Sequence, residues 1–284
     1  MSFALLRLAA LIICLILPTT LTRAETLPLP QSLIGAATDQ GEALFLDADA
    51  REAFFPLASN FVTQQNQAFC GVASMVMVLN ALELPAPAVP AFDPYRTFTQ
   101  DNVLDSRTEA VLPVEVIKKM GMTLDQLGGL LAVQPVTVAV HHAADSSVEV
   151  FRNQARNALA APGQFVIVNY LRKAIGQERG GHISPLAAFD AESDRFLILD
   201  VARYKYPPVW VKTAELFAAM NTRTLTMRTR RGAMCWCQRN KNFWAQQKSR
   251  RVTSGLFLLL NSNPTRSGNR CRRANNTCPI YCWH

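Results

Sequence analysis

Gln64-Gln65-Asn66-Gln67-Ala68-Phe69-Cys70-Gly71-Val72-Ala73-Ser74-Met75-Val76-Met77-Val78-Leu79-Asn80-Ala81-Leu82 is the stretch that decides how this chain folds. From Cys70 to Leu82 nearly every residue is apolar and none is proline, so the spacing predicts a helix with no polar face. Such a helix has to be covered on all sides. Its first residue is a cysteine, and a thiol at a helix N-terminus meets free N–H groups and the positive end of the helix dipole, both of which favour the thiolate. Behind the helix, Pro85, Pro87, Pro90 and Pro94 impose an extended loop.

Outward from this helix the periods change. Residues 25–50 carry Pro28, Pro30, Gly35 and Gly41 and read as loop, with a short helix expected near Asp47 to Ala53. Amphipathic helices are expected around Pro113 to Met120, Leu124 to Ala132 and Val148 to Leu159, the last capped by Ser146 or Ser147. Strands are expected at Val136 to His141, Gln164 to Tyr170, His182 to Asp190 and Arg195 to Ala202, the last two joined as a hairpin through Ala191 to Asp194. The fold class is α+β: helices first, then an antiparallel sheet.

The two ends differ from the body. Arg7 followed by the apolar run Leu8 to Leu17, Pro18 and the small-x-small site Thr22-Arg23-Ala24 reads as a signal peptide over residues 1–24. The chain is therefore expected to be exported, periplasmic or extracellular, with an uncleaved membrane anchor as the alternative and no stable membrane partner. The net charge of +8 misleads. Of the 29 basic residues, 13 lie from residue 223 onward with no acid among them, leaving 16 against all 21 acids, a net of −5. A basic pI built on a tail excludes nothing so well as a nucleic-acid function for the body. We expect a domain over residues 25–233 and a basic, disordered, Cys-containing tail over 234–284, with the composition of a shifted reading frame. Five of the seven cysteines (Cys235, Cys237, Cys271, Cys278, Cys282) fall in that tail and Cys14 in the leader, so Cys70 is the only thiol between residues 25 and 234. In an oxidising compartment, a lone retained thiol points to chemistry.

A cysteine nucleophile needs a base, a group that orients the base, and donors for the oxyanion. Gln64, six residues upstream, can fold back so that its amide joins the Cys70 N–H, although alone it reads as a surface loop residue. Of four histidines, His284 is in the tail and His141-His142 close a strand before polar residues. His182 opens an apolar strand behind Gly180-Gly181, where small residues leave room for substrate. Asp200 ends the next strand, a place where an acid is costly unless paired. Helix cysteine, strand histidine and neighbouring-strand acid is the papain-like order, with Cys70, His182 and Asp200 as catalytic residues.

At this point the sequence resembles the phytochelatin synthases, most of all the short bacterial and cyanobacterial forms. The resemblance is carried by Gln67 to Asn80, by Asn169-Tyr170-Leu171-Arg172-Lys173 through Gly180-Gly181-His182-Ile183-Ser184-Pro185, and by Leu199-Asp200-Val201-Ala202-Arg203-Tyr204-Lys205-Tyr206-Pro207-Pro208-Val209-Trp210-Val211, within residues 45–233. It implies a papain-like fold and glutathione as substrate. Cys70 would attack the Cys–Gly amide, His182 would protonate the departing glycine, and the γ-Glu-Cys thioester would pass to water or to another glutathione, with heavy-metal detoxification and glutathione turnover as the setting. Short bacterial members of that family mainly hydrolyse.

An anionic peptide calls for cations, and Arg203, Arg172 and Arg231, with Gly181, are the expected substrate-binding residues. No cofactor and no protein metal site is expected; heavy-metal ions such as cadmium or zinc would enter as glutathione thiolates, so the partners are glutathione and its metal complexes. A homodimer is left open. After Arg231-Gly232, Cys235-Trp236-Cys237 stands where the family has an apolar strand, which puts the closing strand and Arg231 in question. The tail spacings Cys235-x-Cys237 and Cys278-x3-Cys282 match no structural zinc site. Two other readings compete: a papain-like peptidase cutting double-Gly leaders, and a non-enzymatic metal or thiol binder using the tail.

Overall fold

The structure, a computed structural model, describes residues 25–222 and 233–240. In chain order the elements are β1 (Ile34–Gly35), α1 (Asp39–Asp47), α2 (Phe54–Ala58), α3 (Cys70–Ala81), α4 (Ser106–Glu109), α5 (Val114–Met120), α6 (Leu124–Ala132), β2 (Val136–His142), α7 (Val148–Leu159), β3 (Gln164–Leu171), β4 (Gly181–Asp190), β5 (Arg195–Ile198), β6 (Val209–Lys212), α8 (Thr213–Met220) and β7 (Ala233–Arg239). The chain is α+β, with most helices before the sheet.

All strand pairs are antiparallel, and the sheet runs β1-β6-β5-β4-β3-β7-β2. α3 is the helix of the opening stretch, and every residue from Cys70 to Leu79 is buried. It packs against β4, itself buried from His182 to Asp190. The apolar sequence thus places the first residue of α3 beside the first residues of β4. Ser74 locks that junction, because its hydroxyl donates to Cys70 O at 2.8 Å and sits 3.2 Å from Ile183 O. The later helices start where their caps put them. Thr123 and Gln126 form a reciprocal capping box on α6, and Ser147 Oγ accepts from Val150 N at 3.3 Å on α7.

Four differences from the sequence expectation have physical causes. The N-terminal helix runs over Asp39–Asp47, not Asp47 to Ala53, because Thr38 caps it and Ala50 instead bridges to Phe189 in the sheet. β5 stops at Ile198, where its pairing with β4 and β6 ends, so Asp200 sits on a turn rather than in a strand. The hydrophobic period could not show this, since Leu199, Val201 and Ala202 are also buried. Residues 234–239, expected as the start of the tail, form most of β7 between β3 and β2. Cys235 and Cys237 are fully buried there, behaving as small apolar residues, while Trp236 on the opposite face donates to Gln164 Oε1 at 3.1 Å. The sequence reading underrated a strand whose apolar residues were cysteines. The leader 1–24, Arg231, and Cys271, Cys278 and Cys282 lie outside the described residues. Among those described, no helix is long and apolar enough to cross a membrane.

Candidate active site

The start of α3, the start of β4 and the segment after β5 bring Cys70, His182 and Asp200 together. Tyr170 pairs with His182 across β3 and β4, and its ring meets the imidazole edge-on with centroids 5.7 Å apart. His182 Nε2 lies 2.8 Å from Asp200 Oδ1 and 2.9 Å from Ser184 Oγ. With Nε2 so engaged, Nδ1 is the ring nitrogen left to act on Cys70. Ser184 also accepts from Val201 N at 3.2 Å, which ties the turn carrying Asp200 to the strand carrying His182.

All three groups are buried, which by itself would neutralise each of them. Burial pushes the Cys70 thiol up, but the hydrogen bond and positive charge of His182, with backbone bonds from Ile183 and Gly71, bring it below its ordinary value. Burial likewise opposes a charged His182; the Asp200 carboxylate outweighs that and the repulsion of Arg172, and the imidazole is held above its ordinary value. The Asp200 carboxyl, pushed up by burial, is driven far down by His182 and Arg172. The arrangement favours a thiolate–imidazolium pair oriented by a carboxylate, the poise a cysteine nucleophile requires.

Arg172, expected to bind substrate, is instead buried behind the site. Its Nη2 donates to Asp200 Oδ1 at 2.8 Å, and its Nη1 faces Oδ2 at 2.7 Å as an ion pair rather than an aligned hydrogen bond. Gln177 Oε1 accepts from the same guanidinium at 2.5 Å, and the cation lies 5.1 Å from the centre of the Tyr206 ring. Asp200 needs this partner because it is fully buried. The sequence offered no sign that the Arg172 side chain turns inward.

Gln64 is buried, with its backbone N–H on Val201 O at 2.9 Å. Its amide nitrogen donates to Asn66 O at 2.8 Å and to Tyr204 Oη at 3.2 Å, while Oε1 has no partner. The structure brings it to the Asp200 turn but gives its amide local partners. Arg203 is exposed and stacks on Phe61, its guanidinium carbon 4.6 Å from the ring centre.

A cleft of about 1020 Å³ opens over Cys70 and His182, and Gly181 is among the residues that line it. Arg172 and Arg203 do not. Asn169, Lys118 and Lys119, which sequence reasoning did not single out, do. Asn169 is buried and makes no side-chain hydrogen bond within the described residues, so its amide is available to a ligand. Among the described residues no group of three or more His, Cys, Asp or Glu side chains gathers as a metal site. His142 pairs with Asp125 at 2.9 Å on the far strand β2.

A helix-borne thiol whose ionisation a strand histidine favours, with a buried carboxylate beside the imidazole, is the arrangement that cysteine-nucleophile enzymes use. Within that class, the phytochelatin synthase family model matches residues 24–233, and the chain belongs to that family. It is 36% identical over 213 residues to a Lotus japonicus protein, glutathione gamma-glutamylcysteinyltransferase 3, a match covering 74% of this chain and 43% of the relative. An Arabidopsis thaliana glutathione gamma-glutamylcysteinyltransferase 2 is 34% identical over 204 residues (71% and 44%), and a Schizosaccharomyces pombe glutathione gamma-glutamylcysteinyltransferase 29% over 195 (68% and 46%). The chain spans less than half the length of each of these relatives.

Proposed function

We propose that residues 25–233 are a papain-like catalytic domain that cleaves the Cys–Gly amide of glutathione and passes the γ-Glu-Cys acyl group to water or to a second glutathione. The polarised Cys70–His182–Asp200 arrangement at the floor of a cleft supports this reading. The Cys70 thiolate adds to the amide carbonyl, and the Cys70 N–H with the Gln64 amide, released from Tyr204, stabilises the oxyanion. The His182 imidazolium gives its proton to the amine nitrogen as the C–N bond breaks, and glycine leaves. His182, now neutral, takes a proton from the incoming water or peptide amine, which attacks the thioester and frees Cys70. Throughout, Asp200 keeps the imidazole oriented and stabilises its charge, and Arg172 keeps Asp200 ionised.

Transfer to water gives γ-Glu-Cys, and transfer to glutathione extends a γ-Glu-Cys chain. Metal ions enter as thiolates of glutathione rather than through a protein site, and the leader over residues 1–24 directs export. Mass analysis of the products formed from glutathione, with and without cadmium, tests the reading. Glycine with γ-Glu-Cys or its oligomers is the expected result; intact glutathione beside cleaved ordinary peptides would favour the peptidase alternative.

A further inference from the structure

The cleft is charged on one side only. Among the residues that line it, the ionisable side chains besides Cys70 and His182 are Lys118 and Lys119, and none is an acid. The two lysines differ. Lys118 Nζ is engaged with Glu115 Oε1 at 2.8 Å, whereas Lys119 makes no close ion pair among the described residues and acts on Glu115 only as a weaker, more distant charge. Lysines in the last turn of α5 also offset its dipole, which accounts for a cation there but not for its facing an acid-free cleft.

The turn that follows is seated on the nucleophile helix. Gly121 has φ +68°, and a Cβ there would lie 3.5 Å from Ala68 O. Met122 occupies the space a side chain at Gly71 would need, its Sδ 2.5 Å from such a Cβ. Lys119 therefore lies on α5 just before a turn fixed against Gly71, the residue next to Cys70, not on a loose surface loop.

We propose that Lys119 is a carboxylate-binding residue of the cleft and holds one of the two carboxylates of the peptide substrate. This rests on the glutathione reading, since a thiol peptide with two carboxylates and one ammonium group is the ligand whose charge an acid-free, lysine-bearing cleft complements. It supplies in the cleft a cation that Arg172 and Arg203, which do not line it, do not supply; Arg231 lies outside the described residues.

The test is the kinetics of glycine release from glutathione by the full chain, its Lys119→Gln and Lys119→Arg variants, and Lys118→Gln. Lys119→Gln should raise KM about tenfold with kcat little changed, as expected for one charged hydrogen bond lost from binding. Lys119→Arg should recover most of the loss, and Lys118→Gln should move KM less. Two substrate analogues identify the carboxylate: the glycyl ethyl ester, and a peptide with 4-aminobutanoyl in place of γ-glutamyl. The analogue lacking the recognised carboxylate should be used equally well with or without Lys119. A KM for Lys119→Gln within twofold of the parent, or equal losses on both analogues and on glutathione, overturns the proposal. Calorimetric binding of glutathione to Cys70→Ala with and without Lys119→Gln separates this from the parent reading. A parent that binds through Lys119 but releases no glycine refutes only the proposed reaction; an active parent indifferent to Lys119→Gln refutes only the lysine.

Discussion

The start of α3 and the middle of β7 each bury cysteine in the same core, and their thiols are driven in opposite directions. Cys70 meets His182 and backbone donors, and falls below its ordinary 9.0. Cys237 meets Cys235, sulfur to sulfur at 3.6 Å, and that hydrogen bond, then burial, pushes it well above the same value. Burial is shared, so it cannot be what makes one thiol a nucleophile. The difference is the partner: an imidazolium stabilises a thiolate, while a second thiol in an apolar strand stabilises neither charge. Mapped alkylation should show this directly. Cys70 should react at lower pH than an ordinary thiol, and Cys235 and Cys237, fully buried, should stay unmodified until the chain unfolds.

The largest effect that could break the comparison comes from its reactive half. Cys70→Ala should lower glycine release by about 10⁴-fold or more, since the remaining site has no nucleophile. His182→Gln should cost about 10³- to 10⁴-fold and also test the cause. With the imidazolium gone, burial is left in command, and the Cys70 alkylation profile should shift to higher pH, toward that of a buried thiol. An unshifted profile would mean that the helix end alone, not His182, sets the poise. The pH sign follows from the two directions. The lowered thiol supplies stability above its unfolded value of 9.0 that is lost as pH falls through the folded value, and the raised imidazole supplies stability below 6.5 that is lost as pH rises through its own.

Behind the reactive thiol stands a charge network whose loss reads out mainly as stability. Arg172→Met leaves Asp200 fully buried without its cation, and a cost of about 3 to 5 kcal/mol is expected in urea unfolding. Arg172→Lys should recover only part, because one ammonium cannot span both carboxylate oxygens. A loss below about 1 kcal/mol, the level of an exposed pair, would show that Asp200 is not sealed as described. One turn into α3, Ser74→Ala should cost about 1 kcal/mol and loosen the α3–β4 junction, so that glycine release falls more than stability does.

These same residues show how far the sequence could be read. Cys70, His182 and Asp200 were legible because each sits where a period breaks: a thiol opening an all-apolar helix, a histidine near the start of an apolar strand behind glycine, an acid just past the end of the next strand. Helices α5, α6 and α7 were legible almost to the residue from their apolar spacing and caps. Arg172 was not, since nothing local distinguishes an arginine that turns into the core from one that turns to solvent; that depends on Asp200, 28 positions away in the chain. Lys119 carries no such signal for the converse reason: an exposed helix-end lysine looks ordinary until the fold brings it to the cleft that Cys70 also lines. β7 is hard to read because Cys235-Trp236-Cys237-Gln238 does not look like an apolar run until the two cysteines are counted as small apolar side chains.

The smallest expected effect tests that last point. Cys237→Val replaces a fully buried thiol in a central strand by a β-branched apolar side chain of similar size, a change that suits the strand and should alter stability by about 1 kcal/mol or less near neutrality. The pH dependence is more telling. A thiol whose folded value lies above its unfolded 9.0 contributes stability that is complete below that value and is lost as pH rises toward the folded one. The parent should therefore weaken between about pH 8 and about pH 10.5 by more than the variant does, with the contribution of Cys70 common to both and cancelling in the difference. Urea midpoints at the two pH values give that difference. Parallel losses in parent and variant would mean that Cys237 titrates as freely folded as unfolded, and the contrast between the two cysteine sites would reduce to the presence of His182 at one of them.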